Sequence, residues 1–109
     1  MAMRNFVRIF VVAAFIAALM PPVPVYAVNY EVAIDYWDGC DATFTYIGDA
    51  YLDCSGSWTY TGSQAGTWKR VMTWNCNTEV LLSTLYYHYC NGTWVLINPN
   101  SLGACDLDC

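Results

Sequence analysis

The chain has 109 residues, four Lys and Arg against nine Asp and Glu, six Cys and an aromatic content of 17%. Two of the four cations, Arg4 and Arg8, fall at the start, so residues 28–109 carry only Lys69 and Arg70 against all nine acids. That balance excludes nucleic acid and anionic membrane as natural partners, because both reward Lys and Arg, and so short a chain makes one domain whose core is marginal without cross-links.

Residues 1–27 fall into three zones: a basic start with Arg4 and Arg8, an apolar run over residues 9–20, and a Pro-rich stretch ending Val25-Tyr26-Ala27. This is the pattern of a secretory signal peptide, with small residues at Val25 and Ala27 placing the cut before Val28. The apolar run is well short of the roughly 20 residues that span a bilayer, so no membrane anchor is expected after cleavage. The expected location is secreted, extracellular or periplasmic. Six Cys, an even number, then read as three disulfides.

Residues 28–36, Val-Asn-Tyr-Glu-Val-Ala-Ile-Asp-Tyr, alternate apolar and polar and predict a half-buried strand. Trp37-Asp38-Gly39 turns the chain into Cys40. Residues 43–47 and 50–54 are rich in β-formers on either side of Gly48-Asp49, which predicts a hairpin. Ser55-Gly56 turns into a strand over residues 57–61 with Trp58 and Tyr60 on one face, followed by a Gly-Ser loop over residues 62–66. Residues 67–74 alternate Trp68, Arg70, Met72 and Trp74 against Thr67, Lys69, Val71 and Thr73, another strand.

Residues 78–89 carry leucines at helical spacing and tyrosines suited to a sheet; a second hairpin folding at Ser83-Thr84 is the expectation. Residues 93–97 close the sheet, and residues 102–109 form a tail tied by Cys105 and Cys109. About seven short strands without a helix make an all-β fold, a small disulfide-stapled antiparallel meander or sandwich.

One pattern occurs twice. Residues 40–58 and 76–94 both read Cys, thirteen residues, Cys, one residue, Gly, a hydroxyl residue, Trp. The halves end Cys54-Ser55-Gly56-Ser57-Trp58 and Cys90-Asn91-Gly92-Thr93-Trp94, so two copies, residues 40–60 and 76–96, are expected to share a local fold. If a bond formed within one copy is formed within the other, Cys40 pairs with Cys54, Cys76 with Cys90, and Cys105 with Cys109. The alternative joins the copies through Cys54 and Cys90. The spacings lack a zinc-type pair, and no metal or other cofactor is expected.

Residues 89–94, Tyr-Cys-Asn-Gly-Thr-Trp, with Pro99 and Cys105 downstream, resemble the closing part of a complement-control (sushi) module, a small β protein-binding domain. The resemblance covers residues 89–105 only, and the earlier Cys spacings depart from it, so the chain is not assigned to that family.

His88 is the only histidine, and no nucleophile accompanies it in sequence. Asp35, Asp38 and Asp41 recur around Gly39, a spacing that a small hydrolase or an oxygen-rich ion site would use, but without the order of a calcium loop. Aromatic residues are the stronger signal: the five Trp, eight Tyr and one Phe of residues 28–109 exceed what so small a core absorbs. The sequence therefore predicts a non-enzymatic binding module that contacts a glycan or a protein surface through Trp58, Tyr60, Trp68 and Trp94. The alternative is a structural subunit that pairs with copies of itself along strand 28–36, building a fibre or surface layer. A small hydrolase using Asp35, Asp38 or Asp41, and a toxin or inhibitor, rank below both.

Overall fold

The computed structural model describes residues 25–109, so the expected leader lies outside the described residues up to position 24. Six strands form one antiparallel sheet: β1 (Tyr30–Asp38), β2 (Thr45–Leu52), β3 (Trp58–Gly62), β4 (Trp68–Asn75), β5 (Leu81–Cys90) and β6 (Thr93–Ile97). Their order across the sheet is β3-β2-β1-β4-β5-β6. Two up-and-down meanders, β1 to β3 and β4 to β6, are thus joined back to back by the pairing of β1 with β4. The fold is the expected disulfide-stapled all-β meander, in a single layer. Among the described residues no helix is long and apolar enough to cross a membrane.

The expected strand count and hairpins need correction. Gly48-Asp49 and Ser83-Thr84 are not turns; each lies inside one continuous strand, β2 or β5. Gly48 is there because the chain must travel from β3, at one edge, to β4, on the far side of β1. Residues 63–67 make that crossing, and a Cβ on Gly48 would sit 2.3 Å from the Ser63 carbonyl oxygen. The glycine that resembles a turn residue is a gap through which backbone passes. The run at residues 78–89 likewise contributes no helix and no hairpin, since its β-branched and aromatic residues pair along β5 with both neighbours.

The expected disulfides fall for the same reason. Cys40 and Cys54 flank β2, and Cys76 and Cys90 flank the run that contains β5. An extended strand of that length holds its ends about 25 Å apart, far beyond the roughly 4.4–6.8 Å between Cα atoms that a disulfide allows. The observed bonds join different strands: Cys40–Cys105, Cys54–Cys76 and Cys90–Cys109, with Cα separations of 5.0, 5.8 and 5.2 Å. The alternative pairing of Cys54 with Cys90 and the pairing of Cys105 with Cys109 are excluded with them. Cys54–Cys76 ties the ends of β2 and β4 across the start of β1, where Val28 N–H donates to the Cys54 carbonyl and Cys76 N–H to that of Asn29.

The first strand is also not an edge. β1 pairs with β2 on one side and β4 on the other, so residues 28–36 have no open ladder to offer a second copy. The edges are β3 and β6. Each follows a turn with Gly in the left-handed region, Gly56 at φ +90° and Gly92 at +87°. Asn91, at φ +49°, completes with Gly92 a turn of the kind that Asn-Gly favours in tight hairpins.

Replacing Gly48 by Ala forces backbone apart at the crossing. A loss of about 1–3 kcal/mol is expected from overpacking, read as a lower denaturation midpoint of the oxidised chain.

Candidate functional site

Directly paired residues point to the same side of a sheet, so the register sorts the side chains into two faces. One face carries the rows Thr61, Asp49, Asp35, Arg70, Tyr86, Ile97 and Tyr46, Trp37, Trp68, His88, Val95. The other carries Trp58, Leu52, Val32, Thr73, Ser83; then Tyr60, Ala50, Ile34, Val71, Leu85; then Gly62, Gly48, Tyr36, Lys69, Tyr87, Leu96; and finally Tyr89 with Trp94. In the rows of this second face Lys69 is the single charged side chain, and Asp38 lies exposed beyond them at the end of β1. We call the two the charged face and the aromatic face.

The tail seals one end of the charged face. It is pinned beside β1 by Cys40–Cys105 and beside β5 by Cys90–Cys109, and it bridges the start of β4 between them. Gly103 lies against the Phe44 ring, where a Cβ would come within 3.2 Å, and Asp41 N–H donates to its carbonyl at 2.7 Å. Beneath lie Phe44 and Trp37, stacked at 5.7 Å, and Trp68, edge-on to Phe44 and 4.2 Å from the His88 ring.

Trp68 is therefore a correction. It is 2% exposed, with its indole N–H donating to the Gly39 carbonyl at 2.7 Å, and is a core residue rather than a contact. The Gly-Thr step before it resembles those before Trp58 and Trp94, but its strand parity points it to the opposite face.

The other three predicted contacts share the aromatic face. Trp58 and Tyr60 are 44% and 61% exposed on β3, with ring planes 11° apart and centroids 6.0 Å apart. The turn before them is fixed by Asp53, whose carboxylate accepts from the Ser55 hydroxyl and from the backbone N–H of Ser55 and Ser57. Those bonds, the Ser55 hydroxyl first, hold the carboxyl below its ordinary value. Trp94, on the opposite edge, packs edge-on against Tyr89 at 4.9 Å and lies 6.2 Å from Tyr36.

Tyr36 links the two groups. It is nearly buried in the central strand, and burial first, then the neighbouring Tyr60, push its phenol upward. Lys69 stands beside it, its ammonium 4.5 Å from the Trp94 ring centre and 5.2 Å from that of Tyr87. Burial lowers its pKa, and its contacts there are ring faces rather than a carboxylate. Tyr36, Lys69, Tyr87 and Tyr89 were not singled out by sequence reasoning. Their signal was parity, which becomes readable only once the register is known.

The acids are otherwise engaged. Asp35 accepts from Arg70 Nε at 3.0 Å, and Arg70 lies over the Trp37 ring at 5.4 Å. Burial first, then a hydrogen bond with Asp49, raise the Asp35 carboxyl, with Arg70 opposing. Tyr46 donates to Asp49 and Tyr51 to Glu31. Asp35, Asp38 and Asp41 do not converge: the only gathering of three potential metal ligands among the described residues is His88, Cys90 and Cys109, within 4.8 Å. Two of those three are bonded to each other as a disulfide, so their sulfurs are not thiolate ligands.

Comparison with protein-family models, with curated proteins and with solved structures finds no match.

Two measurements check this arrangement. Trp68→Ala is expected to cost about 3–5 kcal/mol of stability, while Trp58→Ala stays within about 0.5 kcal/mol, as for an exposed site, both read from denaturant midpoints. The Tyr46 phenol, pushed up to about 12 by its bond to Asp49, is expected to ionise above the ordinary tyrosine range in a titration followed at its own ring by NMR, and to return to that range in Asp49→Asn. Because the folded value is raised, any stability from that bond is complete below pH 10 and is lost as pH rises through about 12.

Proposed function

We propose that the protein is a secreted, non-enzymatic binding module that contacts a glycan or a protein surface through the aromatic face. The observation that carries this reading is the contrast between the two faces. Each face is covered at one end, the charged face by the tail and the aromatic face by residues 63–67 beside Gly48. Tyr46 and Val95 are exposed on the first at 54% and 46%, but the aromatic face exposes Trp58, Tyr60, Tyr89 and Leu96 at 44–61%, with Lys69 as the single charge in its rows. A sheet with an apolar face is ordinarily packed against a second layer, and a contiguous exposed apolar patch marks an interaction surface. Covering the exposed half of one such side chain contributes roughly 1 kcal/mol. Lys69 gives the patch one positive charge, which favours a ligand that offers an acidic group there over a cationic one.

Secretion rests on the leader pattern of residues 1–27 together with three disulfides in a small domain. The internal repeat deepens the picture. Advancing the bounds of β1, β2 and β3 by the thirty-six positions that separate Trp58 from Trp94 brings them close to those of β4, β5 and β6. On this reading the repeated unit is a whole meander, longer than residues 40–60 and 76–96 by the strand that precedes each, and each unit places a Trp on an edge strand of the aromatic face.

A self-assembling subunit is the second reading, favoured by the strand order: β3 and β6 are both edges, so β3 of one chain pairing with β6 of the next would extend the sheet. Growth of the mass in solution with concentration would support it.

A screen of glycans and protein surfaces against the oxidised chain tests the first reading. Trp58→Ala and Tyr60→Ala, both exposed, are each expected to weaken the bound ligand about tenfold or more with the midpoint of unfolding unchanged. Binding that survives both substitutions together with Trp94→Ala would overturn it.

A further inference from the structure

One of the three disulfides has an imidazole against it. His88 Nδ1 lies 2.8 Å from Cys90 Sγ and 4.0 Å from Cys109 Sγ. The ring is held in place by Trp68, with which His88 pairs across β4 and β5 and whose ring is 4.2 Å away. The two sulfurs differ in access, for Cys90 is 6% exposed while Cys109 lies on the surface. The other disulfides lack this combination. Cys54–Cys76 is buried at both ends, at 4% and 1%. Cys40–Cys105 has an exposed Cys105 but no imidazole, since His88 is the only one in the chain.

We infer that Cys90–Cys109 is a thiol-exchange site that takes a small thiol of the cysteine or glutathione class. The incoming thiolate attacks Cys109 Sγ from the exposed side. A new sulfur–sulfur bond forms between the small thiol and Cys109, the Cys90–Cys109 bond breaks, and Cys90 departs as a thiolate with its electron pair. His88 Nδ1–H donates a hydrogen bond to that thiolate. One disulfide is replaced by another, so no further oxidant or reductant is needed. Exchange is faster when the leaving thiol is the more acidic, and a neighbouring imidazole makes it so. Attack in the other sense would require the thiol to reach buried Cys90 and would expel Cys109, which lies farther from His88, at 4.0 Å. The geometry therefore fixes the product: the adduct on Cys109, the free thiol on Cys90. The reverse attack by Cys90 restores the bond, and Cys40–Cys105 keeps the tail tethered throughout.

The inference is independent of any ligand on the aromatic face. Its test is to incubate the oxidised protein with glutathione, quench with acid at intervals, and map adducts and free thiols by mass spectrometry. Expected is an adduct on Cys109 with Cys90 free, formed about tenfold faster than any at Cys40–Cys105, with Cys54–Cys76 last. His88→Asn is expected to slow the Cys109 adduct about tenfold while the rate at Cys40–Cys105 stays unchanged, an internal check that the fold is retained. An adduct on Cys90, equal rates at the two half-exposed disulfides, or an unchanged rate in the folded variant would each overturn the inference. If His88→Asn unfolds, all three disulfides open together, and the wild-type adduct position and rate ratio decide alone.

Discussion

The pairing of β1 with β4 joins the two halves of the molecule, and the chain reaches it only by crossing the ends of β2 and β1 through residues 63–67. Two consequences follow from that crossing. The first strand in sequence becomes central in space, with its ladder occupied on both sides. The ends of the sheet at Gly48 and Trp68 become the most covered part, with crossing backbone on one face and the disulfide-anchored tail on the other. Burial is thin even so: among the described residues, Tyr36, Ala50, Trp68 and three half-cystines supply the buried apolar residues. Disulfides between strands that are distant in sequence compensate by restricting the unfolded chain.

Charge and aromatic surface divide along the same lines. Asp35, Asp49, Glu31 and Arg70 share the charged face and are bonded to one another or to tyrosines. The aromatic face has Lys69 in its midst, flanked by Tyr36, Tyr87 and Trp94. An overall acidic chain thus presents a locally cationic, ring-lined surface, which neither net charge nor composition would reveal. The same parity that places Lys69 there removes Trp68 from the surface.

The strands themselves were legible in the sequence wherever alternation was clean, as at β1 and β4, and the turns at Gly56 and Gly92 were legible from their composition. The pairing was not. Gly48-Asp49 satisfies every local rule for a hairpin, and what overrides them is a contact with Ser63 that exists only once β4 has been placed. The disulfides inherited that error, because the distance between Cys40 and Cys54 depends on whether the intervening residues fold back or extend. For the site, Trp58, Tyr60 and Trp94 could be found from aromatic excess, whereas distinguishing them from Trp68 required knowing which residues of other strands stand opposite. His88 stood out as the only histidine, with Cys90 two residues on, but its closeness to a disulfide was not readable, because Cys109 approaches from the far end of the tail.

The claim on which the functional account rests is that the aromatic face is open in the isolated chain. Covalent labelling of Trp and Tyr side chains in the native oxidised protein, read by mass spectrometry, tests it most directly. The account predicts rapid modification of Trp58 and Tyr60 with Trp68 protected until the protein unfolds. Protection of Trp58 and Tyr60 equal to that of Trp68 would contradict it.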